Sequence, residues 1–212
     1  IYRANTLIEE VADLEGATAD AVARITAEAK FIRALSHYHV VRIWALPYGY
    51  TSDNSHLGIP LKVSADQTPQ MRATVADVYA QIEQDLLDAE ADLPSSNGIF
   101  ANQMAAKALL AKVYLEMGDF ANAKAKAAEV MNSGTYTLDP VLTNRFADHA
   151  NGNLPAEFIF TLVSTNESSA TDTIVDERGM GFTWNYRSDD PNANPALKAS
   201  QALYVEATAD TN

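Results

Sequence analysis

Apolar residues recur every three or four positions through most of the first 135 residues, a spacing that predicts a series of amphipathic helices. The first helix is predicted over residues 1–15 and is closed by Gly16. The second is predicted to begin at Asp20, a good N-cap residue, and to end near Trp44, which we interpret as a core residue. Residues 45–73 lack a helical period and contain several Pro and Gly, so a loop is expected there.

A third helix is predicted to begin after Thr74, because Asp77 follows three positions later as in a capping box. Its apolar residues keep the helical spacing as far as Leu93. The acidic residues of this helix, among them Asp85, are interpreted as a solvated face.

Residues 105–134 predict two helices joined by a tight turn at Gly118 and Asp119. The first of these helices is small and apolar on nearly all sides. The second has one apolar stripe, formed by Phe120, Ala123, Ala127, Val130 and Met131. Such a pair cannot bury its apolar surface alone, so we expect helix pairs of the same kind beside it.

The spacing of Leu110, Ala111, Tyr114 and Ala123 matches the tetratricopeptide pattern. A second, weaker unit aligns residues 29–37 with the first helix of the pair and takes the helix after Thr74 as its partner. The predicted fold class is therefore mainly α, built from tetratricopeptide-like helix pairs in an alpha-alpha superhelix. Residues 1–135 would form this scaffold, with residues 45–73 as an insertion.

The pattern changes after residue 135. Residues 157–163 are mostly apolar, which predicts a strand buried on both faces. Residues 164–195 show no helical period and are rich in Ser, Thr, Asn, Asp and Gly. Residues 136–212 are thus expected to be an irregular, loop-rich part with a small β content, incomplete at its C-terminal end.

Composition excludes several classes of function. The chain has 212 residues and a formal net charge of −13, which argues against a nucleic-acid partner, since binding phosphates requires a basic patch. It contains no Cys, so it has neither disulfides nor thiolate metal sites. No apolar run approaches the roughly 20 residues of a membrane span.

Eight segments, in this order along the chain, are similar to the SusD/RagB-like outer-membrane nutrient-binding lipoproteins. The most specific is EAKFIRAL, which resembles a helix typical of that family. The segments are residues 28–35, 38–44, 58–61, 72–75, 78–82, 105–115, 132–136 and 157–160. The resemblance implies a SusD-like fold and a non-enzymatic lipoprotein on the outer face of a Gram-negative outer membrane.

The same resemblance implies the partners. Members of the family capture a glycan or another nutrient and deliver it to a SusC-like TonB-dependent transporter. The lipid-bearing N-terminal Cys of the family is absent from this chain, and we expect the chain to be a fragment of a longer protein. Contact with the membrane would then occur only through that missing lipid anchor.

A glycan site would combine aromatic faces with hydrogen-bonding side chains. The best local combination lies in the loop-rich part and consists of Trp184, Asn185, Tyr186 and Arg187. These aromatic residues would either contact ligand or fill the space under a long loop. Tyr48 and Tyr50, in the Pro- and Gly-rich segment, are the second candidates, with packing within the loop or a surface facing the transporter as alternatives.

Other candidate chemistry is weak. His37 and His39 lie two apart, so a helix points them in nearly opposite directions and a shared metal is not expected. Arg33 fits a structural ion pair or a buried polar network. A loose calcium site at Asp189 or Asp190 remains open, whereas the spacing after them excludes an EF-hand.

No catalytic motif and no cofactor-binding motif is present, so neither catalytic residues nor a cofactor are predicted. Two other functions remain open. One is a generic tetratricopeptide adaptor that binds a peptide. The other is a glycan-active hydrolase, although a pair of carboxylates alone would not indicate one, since such pairs are inevitable among 28 acidic residues.

Overall fold

Most helices of this computed structural model begin where a short polar side chain accepts a backbone hydrogen bond, whereas the first helix follows Ile1, which offers no such cap. The structure describes residues 1–138, 140 and 156–162. In that part there are five α-helices: α1 Tyr2–Glu10, α2 Ala19–Trp44, α3 Val75–Asp92, α4 Gln103–Met117 and α5 Phe120–Asn132. A 3-10 turn, Val11–Asp13, follows α1. The mainly α fold class is therefore confirmed.

The helix caps explain where α2 to α5 start. The hydroxyl of Thr74 accepts from the backbone N–H of Asp77 at 3.1 Å, as predicted for α3. Thr18, rather than Asp20, caps α2, because its hydroxyl reaches the N–H of Ala21 at 3.2 Å. Asn102 and Asp119 cap α4 and α5 in the same way.

Neighbouring helices pack in chain order, with α1 against α2, α2 against α3, α3 against α4 and α4 against α5. The predicted turn between α4 and α5 is present, and Gly118 adopts the left-handed conformation there with φ of 78°. This succession of helix pairs is compatible with tetratricopeptide-like pairing. The largest fully buried side chains of the shared core include Phe31, Ile82, Leu86, Leu110, Val41 and Val113.

Three predicted core residues are exposed instead: Trp44 by 73%, Phe120 by 68% and Met131 by 78%. On α2 the buried stripe passes through Val41 and continues to Ala45, so the face that bears Trp44 has no neighbour in the described part. On α5 the buried positions are Ala123 and Val130, whereas Phe120 is the first residue of the helix and Met131 the last but one, at its two ends.

The segment predicted as a loop contains a two-stranded antiparallel sheet. Strand β1, Leu57–Pro60, pairs with β2, Arg72–Thr74, with Leu57 opposite Thr74 and Pro60 opposite Arg72. Gly58 permits this pairing, because a Cβ atom at this position would lie 3.1 Å from the carbonyl oxygen of Thr74. The prediction of a loop over all of residues 45–73 is therefore only partly correct, because the segment includes paired strands.

The strand predicted near residues 157–163 is not formed over the described residues 156–162, which adopt a turn followed by irregular backbone. Two of their apolar side chains pack on the helices instead of entering a sheet. Ile159 and Phe160 lie against the helical core, and the Phe160 ring meets the Phe31 ring edge to face at 4.9 Å. Partial burial against the helices therefore accounts for Ile159 and Phe160 without a strand.

Every described residue except Leu162 belongs to one compact unit. A second unit comprises residues 148–153 and 162–212, and its residues other than Leu162 lie outside the described part. The division of the chain near residue 135 therefore stays a prediction.

A buried polar network ties the first three helices together, as predicted for Arg33. The guanidinium of Arg33 donates to both carboxylate oxygens of Asp85, at 2.8 and 2.7 Å. It also donates to the side-chain oxygen of Asn5 and to the carbonyl of Val63, each at 3.1 Å. Asp85 is only 1% exposed, so its assignment to a solvated face is wrong.

His37 lies in the same interior and is fully buried, whereas His39 is exposed, in agreement with their predicted opposite directions. Neither ring nitrogen of His37 has a hydrogen-bond partner among the described residues. Burial lowers the pKa of His37 from 6.5 to about 4, and the nearby Arg33 charge acts in the same direction, while Asp85 opposes it. The imidazole is therefore neutral in the folded protein near pH 7.

We expect Asp85→Ala to destabilise the protein by about 3–5 kcal/mol, because it leaves the Arg33 charge buried without its partner. The control is Asp88→Ala on the same helix, whose carboxylate binds Lys30 at 2.6 Å but is partly exposed. This control should lose about 1 kcal/mol or less. Urea unfolding of both variants measures the difference, and equal losses would contradict the structural role of Asp85.

We also expect stability to fall as the pH drops from about 6.5 towards 4. In this range the unfolded chain binds a proton at His37 and the folded protein does not, so the group removes up to about 3 kcal/mol. His37→Leu should make the unfolding free energy less dependent on pH between about pH 7 and pH 5. An unchanged pH dependence in urea titrations would contradict this account.

Candidate ligand-binding loop

Two of the predicted site residues, Tyr48 and Tyr50, lie in the segment from residue 45 to residue 56, which we call the aromatic loop. Two consecutive turns shape it. The N–H of Tyr50 donates to the carbonyl of Pro47 at 3.1 Å, and Gly49 between them has φ of 84°, which favours glycine. The N–H of Asn54 then donates to the carbonyl of Thr51 at 3.2 Å.

Asn54 locks the two turns to each other. It is the one described non-glycine residue with a positive φ, 54°, and Asn tolerates this conformation better than most residues. Its side-chain oxygen accepts from the N–H of Gly49 at 2.5 Å, and the residue is only 8% exposed. The turn that presents Tyr50 is thus fixed by a buried side chain.

The aromatic loop is also fastened to the start of α3. The carbonyls of His56 and Asn54 accept from the N–H groups of Val75 and Ala76, at 2.9 and 3.0 Å. The first N–H groups of a helix have no partner within the helix, so these contacts satisfy donors that would otherwise need water. The loop and the N-terminus of α3 therefore stabilise each other.

Tyr48 connects the loop to the core. Its ring packs edge to face against Tyr79 at 4.9 Å. The hydroxyl groups of Tyr79 and Tyr38 donate to the two oxygens of Glu116, at 2.9 and 2.8 Å, and Arg42 completes the cluster with an ion pair to Glu116 at 2.8 Å. Burial, followed by the hydrogen bond to Glu116, raises the pKa of Tyr79 and of Tyr38.

Tyr50 differs from Tyr48 because its side chain is 63% exposed. Its ring packs edge to face on the His56 ring at 5.5 Å. The His56 ring is itself held on both sides, by the Thr51 hydroxyl at 2.9 Å and by the Leu46 carbonyl at 3.3 Å. Since a carbonyl only accepts, Nε2 of His56 donates to Leu46, and in the neutral ring Nδ1 accepts from Thr51.

This arrangement can offer an aromatic face at little entropic cost. A sugar ring has apolar C–H faces that pack on aromatic side chains, and a rigid tyrosine loses little freedom on binding. Asp53, in the same turn, carries an exposed carboxylate that can accept from hydroxyl groups. Hydrogen bonds from Ser55 and Thr51 lower the pKa of Asp53, so it is ionised at neutral pH.

The predicted site residues fall into two groups. Of those that the structure describes, Tyr50 is exposed for contact and Tyr48 is partly buried as a support. Trp184, Asn185, Tyr186 and Arg187 lie outside the described residues, as do Asp189 and Asp190. Within the described part, no group of three or more His, Asp or Glu could hold a metal ion.

Sequence reasoning missed three residues that position the loop or the core: Asp85, Glu116 and Asn54. Asp85 could have been found, because it continues the stripe of Val78 and Ile82 at helical spacing. A single acid on a buried stripe indicates a buried partner. Nothing in the local sequence marks Glu116 or the conformation of Asn54.

Comparison with known proteins identifies the family. Residues 1–115 match the model of a SusD-like family described as "Starch-binding associating with outer membrane". The match covers α1 to α3, the aromatic loop and most of α4. The chain belongs to this SusD-like family, which confirms the resemblance seen in the sequence.

Individual relatives agree. A curated SusD-like protein of Formosa agariphila is 26% identical over 165 residues, covering 76% of this chain and 30% of the relative. A SusD superfamily crystal structure from Bacteroides thetaiotaomicron is 27% identical with a TM-score of 0.77, covering 99% of this chain and 46% of that protein. A solved laminarin-binding SusD-like protein is 31% identical with a TM-score of 0.55, and the match covers 66% of this chain and 30% of that protein.

The chain thus spans less than half the length of these relatives. The family description associates the family with the outer membrane. Among the described helices, none is long and apolar enough to cross a membrane.

We expect Asn54→Ala to lower the unfolding free energy by about 1–3 kcal/mol, because alanine disfavours a positive φ and cannot accept from Gly49. Asn54→Gly is the matched variant, since glycine adopts this φ freely and loses only the hydrogen bond. It should be the less damaging of the two. Thermal unfolding measures both, and a loss below about 0.5 kcal/mol for Asn54→Ala would contradict the role of this residue.

Proposed function

We propose that the protein binds a glycan at the cell surface and delivers it to a SusC-like TonB-dependent transporter of the outer membrane. The single observation that carries the glycan-binding part is the exposed Tyr50 side chain on a loop locked by Asn54 and α3. Membership of a family described as starch-binding supports the same class of ligand. The laminarin-binding neighbour supports it further.

In this proposal the helices serve as a frame and the loops carry the ligand chemistry. Tyr50 contacts a sugar ring, and Tyr48 fixes the loop by packing against Tyr79. Residues 184–187 remain a second proposed contact, with Trp184 and Tyr186 as aromatic surfaces and Asn185 and Arg187 as hydrogen-bonding groups.

The association of the family with the outer membrane supports the proposed location and is compatible with the proposed delivery step. We propose a surface-exposed lipoprotein that is held at the outer membrane by a lipid anchor. Its second partner would be the transporter, and it would contact neither nucleic acid nor the membrane core.

We propose a binding protein and not an enzyme. The alternative of a glycan-active hydrolase is tested directly by incubating the full-length protein with maltoheptaose and laminarin and measuring new reducing ends. Product release at enzymatic rates would overturn the binding-only proposal. The other alternative, a tetratricopeptide adaptor that binds a peptide, is not supported by the family match, because the family is described as starch-binding.

Replacing the exposed tyrosine tests the site. In the full-length protein, Tyr50→Ala should weaken binding of a maltooligosaccharide or laminarin oligosaccharide about 5- to 30-fold, which corresponds to about 1–2 kcal/mol of lost stacking. The melting temperature should change little, because the side chain is largely exposed. Isothermal titration calorimetry measures the affinity.

The matched control is Phe100→Ala, an aromatic residue that is 59% exposed in the connection between α3 and α4. We expect its affinity to equal that of the unchanged protein. Equal affinities for Tyr50→Ala and Phe100→Ala, with intact folding, would remove the aromatic loop from the binding site.

A further inference from the structure

Glu116 is a carboxylate of α4 whose contacts join three helices. Its two oxygens accept from the hydroxyl groups of Tyr38 on α2 and Tyr79 on α3, at 2.8 and 2.9 Å. Arg42, in the last turn of α2, adds an ion pair at 2.8 Å. The Glu116 side chain is only 29% exposed, so these charge-assisted bonds are partly shielded from water and hold the carboxylate in place.

Tyr79 connects Glu116 to the aromatic loop. Its hydroxyl donates to Glu116, and its ring is the surface on which the Tyr48 ring packs at 4.9 Å, with an angle of 61° between the ring planes. Burial, followed by the hydrogen bond to Glu116, raises the pKa of Tyr79, so the hydroxyl stays protonated and donates at neutral pH. The bond at the hydroxyl therefore fixes the ring that supports Tyr48.

Tyr48 lies inside the turn that presents Tyr50. The hydrogen bond from the N–H of Tyr50 to the carbonyl of Pro47 closes this turn, so Tyr48 and Gly49 are its two central residues. Packing of the Tyr48 ring on α3 thus restricts the turn at one of its own residues. Asn54 restricts the same turn from outside, through the N–H of Gly49.

We propose that Glu116 is a positioning residue for glycan binding, which raises the affinity of the aromatic loop through Tyr79 and Tyr48 without touching the ligand. This inference rests on the proposed glycan-binding function and adds a residue of α4 to it. A loop that is fixed before binding loses less conformational freedom when a sugar packs on Tyr50. Without Glu116, the ligand would have to order the Tyr79 ring, Tyr48 and the turn itself.

A second tyrosine–glutamate pair provides a matched control. The hydroxyl of Tyr114 on α4 donates to the carboxylate of Glu83 on α3 at 2.9 Å, and Glu83, like Glu116, is partly buried. This pair links the same two helices as the bond between Tyr79 and Glu116. Within the described part of the chain, no hydrogen bond or ring contact joins Tyr114 or Glu83 to the aromatic loop.

The test measures binding of maltoheptaose and laminariheptaose to the full-length protein by isothermal titration calorimetry. Glu116→Ala should weaken binding about 3- to 10-fold. Tyr79→Phe, which keeps the ring and removes only the hydroxyl, should weaken it about 2- to 5-fold. The controls Glu83→Ala and Tyr114→Phe remove the equivalent bond and should change the affinity by less than about 1.5-fold.

A double-mutant cycle separates positioning from a general loss of stability. In the Tyr48→Ala background, Glu116→Ala should weaken binding further by less than about 1.5-fold, because its route to the loop is already interrupted. A merely structural effect would weaken binding by the same factor in both backgrounds. If Glu116→Ala does not fold, Tyr79→Phe takes its place in the cycle.

The two proposals fail in distinguishable ways. If Tyr50→Ala weakens binding but Glu116→Ala and Tyr79→Phe bind as their controls do, the positioning role is overturned and glycan binding stands. An equal factor in both backgrounds of the cycle overturns it as well. If no binding depends on Tyr50, the proposed role of the aromatic loop is overturned, and the positioning role falls with it.

Discussion

The buried pair between Arg33 and Asp85 is the constraint on which the rest of the described structure depends. Two charges in a protein interior are tolerated only when their hydrogen-bonding capacity is satisfied. Arg33 meets this condition with groups from three other places in the chain: Asp85 on α3, Asn5 on α1 and the carbonyl of Val63. Any shift of these segments relative to α2 would leave a buried charge without a partner. The pair therefore fixes the packing of the first three helices, and the apolar core fills the space around it.

The position of the aromatic loop follows from that packing. Once α3 is placed against α2, its first N–H groups are the donors that hold the carbonyls of Asn54 and His56. Glu116 adds a second link, because it accepts from Tyr38 on α2 and from Tyr79 on α3. Tyr79 in turn supports Tyr48. The loop is thus held by helix contacts at its base and by its own turns at its tip, which leaves Tyr50 as an exposed side chain on a rigid base.

Features that depend on a few neighbouring residues were predictable from the sequence. The cap at Thr74, the turn at Gly118 and the extent of the helices follow from local hydrogen bonding and apolar spacing. Features that depend on partners distant in the chain were not. Trp44 continues an apolar pattern but lies where α2 has no described neighbour, Asp85 is buried only because Arg33 faces it, and Phe160 packs on Phe31 where a strand was expected. Of the candidate site, the sequence indicated Tyr48 and Tyr50 but not the contacts that distinguish a supporting ring from an exposed one.

The central claim is that a helical frame holds the aromatic loop ready to contact a glycan. A crystal structure of the full-length protein with a bound maltooligosaccharide or laminarin oligosaccharide tests it most directly. The account predicts a sugar ring packed on the Tyr50 side chain, with residues 45–56 in the same conformation as without ligand. A sugar bound without any contact to residues 45–56, or a loop that rearranges to admit it, would contradict the account.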